Sequence, residues 1–255
     1  MYRESLAIFE RVYGTREHAN VAVTVHNLAY VLGAQSQYDE AETMLRESLA
    51  IYERVYGTRE HANVATTLDS LAWVLKAQSN YDEAEALFRE SLAIKERVYG
   101  TREHADVANT LHSLACVLGA QSQYDEAETM LRESLAIYER VYGTREHANV
   151  ANTLDNLARV LGAQSQYDEA EAMCRESLGI LKQVYGTWNN EPVAATLATF
   201  AILMAAVDKY DEAEAMLRES LAIVEAVFGT RALSKVARIV NILAVVLEAH
   251  RTFLV

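Results

Sequence analysis

Residues 57–99 read GTREHANVATTLDSLAWVLKAQSNYDEAEALFRESLAIKERVY, and residues 100–142 read GTREHADVANTLHSLACVLGAQSQYDEAETMLRESLAIYERVY. The second stretch copies the first with scattered changes, and the copying continues in both directions. Tyr-Asp-Glu-Ala-Glu begins at Tyr38, Tyr81, Tyr124, Tyr167 and Tyr210, and Gly14, Gly57, Gly100, Gly143, Gly186 and Gly229 keep the same 43-residue step. A fixed period of this length is the signature of a repeat architecture. Counting each unit from its glycine gives five complete units, 14–56, 57–99, 100–142, 143–185 and 186–228, flanked by partial repeats at 1–13 and 229–255.

Each unit reads as two helices. In the first, Val21, Ala22, Val25, Leu28, Ala29 and Leu32 fall on one side at helical spacing. A polar turn, Gln35-Ser36-Gln37, follows. The second helix opens at Tyr38-Asp39-Glu40, whose acidic residues complement the positive helix end. It carries Ala41, Leu45, Leu49 and Ile51 inward. It closes at Tyr-Gly, where glycine takes the left-handed cap, and the next threonine (Thr15, Thr58, Thr101, Thr144) is the expected N-cap of the following helix. The single proline, Pro192, falls near a first-helix start, where its missing N–H is harmless. Such a pair cannot bury its apolar face alone, so the pairs must stack into a curved solenoid with a concave and a convex surface.

Composition agrees. Alanine, leucine, glutamate and arginine dominate, proline is nearly absent, and no Val/Ile/Thr alternation suggests a sheet, so the class is all-α. About half of the 255 residues are apolar, enough for a substantial core. The formal charge of −13 argues against a nucleic-acid or anionic membrane partner. Cys116 and Cys174 have no ligand-type spacing, so neither a disulfide framework nor a metal site is expected. MYRESLAIFERVYG has none of the regions of a signal peptide, and no apolar run is long enough to span a bilayer. The expected location is cytoplasmic.

Leu28-Ala29, Leu32, Tyr38, Ala41 and Ile51 stand where the tetratricopeptide pattern places its helix-packing residues. More closely, VATTLDSLAWVL followed by YDEAEALFRESLAI resembles the longer repeat of kinesin light chains. The resemblance covers essentially the whole chain. It implies a right-handed α-solenoid of antiparallel helix pairs, a single domain over 1–255, and binding of a partner in the concave groove. The family's usual His-Pro before the first helix is here His-Ala, with Ala19 and its equivalents in place of proline.

Catalytic chemistry finds no support. There is no phosphate-binding glycine loop, no His-Glu-x2-His pair and no nucleophile elbow. His18, His61, His104 and His147 recur with the period and read as turn residues rather than pH sensors. His112 and Cys116 lie four apart on one helix but lack a third orienting group. No catalytic residue, metal or cofactor is expected.

Comparing the chain with itself is more informative. Across the first four complete units, 28 of 43 columns are identical and only four hold three or more residue types. Two of the four lie on the first helix: Val23/Thr66/Asn109/Asn152 and Tyr30/Trp73/Cys116/Arg159. Beside them His26/Asp69/His112/Asp155 alternates, next to Asn27/Ser70/Ser113/Asn156. These columns form one stripe roughly opposite the core stripe, the side that lines the groove in tetratricopeptide proteins. The other two variable columns read as core repacking (Leu45/Phe88/Leu131/Cys174) and as groove wall or plain surface (Tyr52/Lys95/Tyr138/Leu181).

Surface drift would also vary a stripe. Yet Arg46-Glu47 and its counterparts are identical in all five units, and aromatics on a water-facing stripe suit an interface centre. Alternatively, the His/Asp column could bond between neighbouring units. The expected partner surface is His26, Asn27, Tyr30, Asp69, Trp73, Asn109, His112, Asn152, Asp155, Asn156 and Arg159, contacting a protein or peptide. Its asparagines can offer amide donors and acceptors to a partner's backbone, as resemblance to kinesin light chains implies. A clamp for a C-terminal carboxylate, which in this fold needs lysine and asparagine four apart, is disfavoured by His26/Tyr30, Asp69/Trp73, His112/Cys116 and Asp155/Arg159.

Two other readings compete. Near-identical units diversified on one stripe suit the ligand-sensing module of a larger signalling receptor, and both chain ends break off within a repeat pattern. The last helix, with Val236, Ile239, Val240, Ile242, Leu243, Val245, Val246 and Leu247 followed by Thr252-Phe253-Leu254-Val255, is apolar around much of its girth. A capping repeat should be polar outside, so self-association through this C-terminal helix is expected.

Overall fold

A computed structural model describes residues 2–229 and 233–253. Among them are twelve helices and no strand: α1 (Tyr2–Tyr13), α2 (Ala19–Ala34), α3 (Tyr38–Tyr56), α4 (Ala62–Ala77), α5 (Tyr81–Tyr99), α6 (Ala105–Ala120), α7 (Tyr124–Tyr142), α8 (Ala148–Ala163), α9 (Tyr167–Tyr185), α10 (Glu191–Ala206), α11 (Tyr210–Phe228) and α12 (Leu233–Phe253). Even-numbered helices are the first of each repeat and odd-numbered ones the second. The architecture is an all-α repeat solenoid. The chain divides into two compact units, Met1–Ile137 and Tyr138–Val255.

In the N-terminal unit each helix packs on the next, and the first helices α2, α4 and α6 also touch in succession. The core between them is Val21, Ala22, Val25, Ile51, Tyr52, Val64, Ala65, Leu68 and Ile94. Leu28 and Leu49, expected inward, are half-buried, whereas Leu71 and Leu114 at the position of Leu28 are sealed. Ala22, Ala65, Ala108 and the second-helix alanines Ala41, Ala84 and Ala127 are fully buried. Their small side chains let the helix backbones close in. At that approach Ser48 Oγ donates to the Ala22 carbonyl at 2.9 Å, Ser91 to Ala65 at 2.9 Å and Ser134 to Ala108 at 2.8 Å. In the C-terminal unit Ser177 and Ser220 bond Ala151 and Ala194 in the same way. The serine of the Arg-Glu-Ser-Leu stretch in each of the five complete repeats thus pins a second helix to the first helix of its own repeat.

The connection between repeats corrects one expectation. The threonine does not cap the following helix: Thr58 Oγ1 accepts from Glu60 N inside the loop. The cap is the histidine. His61 has extended backbone, and its Nδ1 accepts from Asn63 N at 3.1 Å, with His18, His104 and His147 doing the same. Each ring also stacks on the tyrosine that ends the preceding helix, at 3.7 Å for Tyr56–His61. Asn63 Nδ2 closes the loop by donating to Tyr56 Oη at 2.9 Å. Gly57 takes the left-handed conformation (φ 65°) its cap requires. The fifth repeat lacks the histidine. There Asn190 Oδ1 caps α10 by accepting from Val193 N, with Pro192 in the first turn.

Exposed arginines tie the repeats together along the outside. Arg59 bonds Glu53 of the preceding second helix and Glu90 of the following one, at 2.8 and 2.9 Å. Arg46 bonds Glu42 and, one repeat on, Glu83. In the C-terminal unit Arg145 joins Glu139 and Glu176. Each exposed pair contributes little, on the order of 0–1 kcal/mol, but the ladder recurs. At the C-terminal end, α12 runs through to Phe253, across the positions where the other repeats turn into a second helix, with Glu-Ala-His-Arg-Thr in place of the first repeat's Gly-Ala-Gln-Ser-Gln. His250 on this extension stacks on Tyr210.

The histidine clip is directly testable. His61→Ala removes both the cap and the stack, and should lower stability by about 1–2 kcal/mol, read as a shifted urea midpoint. His61→Asn, which restores a capping side chain, should recover most of that loss.

Candidate recognition face

The first helices expose their variable stripe unevenly. Tyr30 on α2 is 75% exposed and Trp73 on α4 is 50% exposed. Trp73 meets the Tyr38 ring edge-on at 6.2 Å between centroids. It lies over Gly33, where an added Cβ would come within 3.2 Å of its Cζ3. Gly33 therefore leaves the space into which the indole leans. Between α2 and α4 opens a pocket of about 450 Å³. Leu45 and Phe88, both sealed in the core as expected, contribute its apolar lining with Ala29 and Val74, while Tyr30, Trp73, Asp69, Ser70 and Ser113 supply the rest.

The stripe is less freely solvated than the periodicity implies. His26 is half-buried, and its ring nitrogens lie 3.3 Å from Thr67 Oγ1 and 3.4 Å from Ser70 Oγ of the next repeat. Desolvation pushes its pKa below the usual 6.5. Asp69 bonds Thr110 Oγ1 of the next repeat at 3.0 Å and forms an ion pair with Lys95. His26 and Asp69 of the alternating column do bond between neighbouring repeats, through the constant threonines Thr67 and Thr110.

Lys95 is the second correction. The column Tyr52/Lys95/Tyr138/Leu181 is neither groove wall nor surface. All four side chains are buried, Lys95 at 3% exposure. Burial pushes the Tyr52 hydroxyl up to about 12. The buried Lys95 Nζ is fully engaged, donating to Asp69 Oδ2, to Thr110 Oγ1 at 2.8 Å and to the Asp106 carbonyl at 3.2 Å. Part of the signal was present in the sequence: 26 residues apart, His26 goes with Tyr52, Asp69 with Lys95 and His112 with Tyr138, although Asp155 goes with Leu181.

The remaining expected residues scatter in accessibility. In the N-terminal unit Asn27 and His112 are half-buried and Asn109 is exposed. In the C-terminal unit Asn152 and Arg159 are exposed, while Asp155 and Asn156 are half-buried. Asn156 Nδ2 donates to the Asn152 carbonyl at 3.0 Å, and Arg159 Nη1 approaches Asn156 Oδ1 at 3.4 Å. Buried Cys174 has its thiol pKa driven up, first by desolvation and then by the nearby charge of Asp155. Among the described residues no group of three or more His, Cys, Asp or Glu is placed to hold a metal ion, and no helix is long and apolar enough to cross a membrane.

The tetratricopeptide-repeat profile matches residues 1–54, 20–97, 78–140, 106–183 and 146–226. The chain belongs to the tetratricopeptide-repeat family. This is a family of non-catalytic, protein-interaction scaffolds. Among solved structures, this tetratricopeptide protein is similar to BtubC (BKLC) from P. vanneervenii, with 20% identity over 89% of this chain and 88% of that one, at a TM-score of 0.71. The kinesin light chain nearly identical TPR-like repeats of Podosopora anserina share 24% identity over 83% and 98% of the two chains, at 0.65. A Rap protein complexed with Competence and Sporulation Factor shares 14% over 88% and 64%, at 0.67. The fold is kinesin-light-chain-like. No curated protein sequence matches the chain.

The coupled columns predict a double-mutant cycle. Lys95→Met strands Asp69 and should cost about 3 kcal/mol. Asp69→His with Lys95→Tyr, the pairing of the repeat before it, should cost under about 1 kcal/mol, and urea denaturation of both variants measures the coupling.

Proposed function

We propose that the tetratricopeptide array binds a peptide or protein segment on its first-helix face, with Tyr30 and Trp73 as anchors. One observation carries the reading: two large aromatic side chains stand exposed beside an apolar-floored pocket. Buried interface centres favour tryptophan, tyrosine and arginine, and Arg159 with Asn152 and Asn156 offers polar contacts on the C-terminal unit. The Rap protein of similar fold was solved in complex with Competence and Sporulation Factor, which is compatible with an array that holds a partner.

Trp73→Ala tests it. A half-exposed tryptophan that serves recognition should leave melting nearly unchanged while weakening partner capture by about 2 kcal/mol or more, with a smaller loss for Tyr30→Ala. A variant that melts far earlier, by the roughly 3–5 kcal/mol of a core deletion, places Trp73 in the fold instead. Unchanged capture removes the face from the function.

Self-association is a second reading, favoured by α12. Ile239 and Val246 are buried against the preceding helices, but Val240, Val245 and Leu247 are exposed, Val245 at 67%. Leu254 and Val255 lie outside the described residues. Val245→Glu should convert a concentration-dependent sedimentation coefficient into a constant monomeric one; wild-type protein that is monomeric at high micromolar concentration dismisses this reading.

A further inference from the structure

The chain carries a formal charge of −13, which draws basic segments toward it. The pocket between α2 and α4 would reinforce that bias, since Asp69 lines it together with the aromatic residues Tyr30 and Trp73. Aromatic faces beside a carboxylate are a cation site. Lys95 changes this. Its ammonium already occupies Asp69 Oδ2 and is held there by Thr110 and the Asp106 carbonyl. A second cation brought to Asp69 would lie within a few ångströms of Nζ, and two like charges repel strongly at that range in apolar surroundings. Asp69 Oδ1, in contrast, is buried with no hydrogen-bond partner. That oxygen is sealed from solvent and takes no ligand, whereas Ser70 and Ser113, which line the pocket, carry hydroxyls that accept from an uncharged N–H or O–H donor without bringing a like charge to Lys95.

We propose that Lys95, hidden beneath the face, sets the charge preference of this pocket: it selects an uncharged side chain with an apolar body and a hydrogen-bond donor, and rejects a cationic one. The proposal rests on the recognition reading above and supplies the chemistry of the partner residue that enters the pocket. The volume of about 450 Å³ accommodates one bulky side chain. The device belongs to one repeat. Of the four units that match best, only the second joins Asp at this first-helix position to Lys 26 residues on, and the same unit carries the tryptophan. Lys95 is a positioning residue here, acting on a partner through Asp69.

Benzamide and benzamidine are suitable probes, being nearly isosteric and differing by one positive charge. Each is titrated into the full chain while the indole N–H resonance of Trp73 is followed, assigned against a Trp188→Phe background. Wild type is expected to bind benzamide at least about fivefold more tightly than benzamidine. Lys95→Met should reverse the order, moving the ratio by about tenfold or more toward the cation. Asp69→Asn, which keeps a side chain of the same shape and guards against an unfolded Lys95→Met, should move it the other way by weakening benzamidine further. Opposite displacements are not produced by a merely structural lysine. Tighter benzamidine binding by wild type, a ratio indifferent to both substitutions, or no binding of either probe up to its solubility overturns the proposal. If the probes behave as expected while Trp73→Ala leaves partner capture intact, the charge preference stands and the recognition reading fails.

Discussion

The hydrogen bond from a buried serine to an alanine carbonyl, Ser48 to Ala22 and its periodic copies, marks the contact on which the rest of the molecule depends. It exists only because both helices present very small side chains where they cross, and its loss would leave a hydroxyl or a carbonyl stranded in a dry interface. Within each compact unit, first helices pack on the second helix of their own repeat and of the one before, as α4 does on α5 and α3 and α10 on α11 and α9. The interface then recurs every 43 residues. Stability in such an array accumulates from neighbour to neighbour rather than from one central core.

Two kinds of constancy follow from this geometry. Some residues are constant because they are buried, as the serines and alanines are. Others are constant although exposed, because each bonds a glutamate of a neighbouring repeat: Arg46 with Glu83, Arg89 with Glu126, Arg59 with Glu53. The histidine clip belongs to the same class, since His61 must match both Tyr56 before it and Asn63 after it. Invariance at an exposed position therefore records a contact between repeats, and it loses weight as a contrast with the variable stripe. What singles out the stripe is chemical: an uncovered tryptophan and tyrosine beside a cavity.

Variation, too, has two sources. Cys174 against Leu45 and Phe88 is a change of core filling at constant position. His26 against Asp69 is different, because each comes with its own companion on the second helix, and Lys95 gives the Asp69 carboxylate a buried counter-charge that Leu181 does not give Asp155. A column can thus vary for the sake of another column while still shaping the surface above it. The pocket at Trp73 stands over the one repeat in which the companion is charged.

The period, the two helices per repeat, the left-handed glycines, the alanines at the crossings and the all-α class were legible in the sequence. Each is a local property, or one forced by a motif repeated many times. The diversified stripe was legible too, from columns compared within the chain. Three features waited for the tertiary structure. Threonine and histidine are both plausible loop residues by type, and only the stacked tyrosine, brought back across the loop, shows which one caps the helix. Lysine ordinarily reads as solvent-facing, and only the carboxylate, hydroxyl and carbonyl converging from two other helices, α4 and α6, make a buried lysine possible. The pocket depends on the missing side chain of Gly33 meeting an indole 40 residues away in sequence, a juxtaposition made by stacking, which no local propensity encodes.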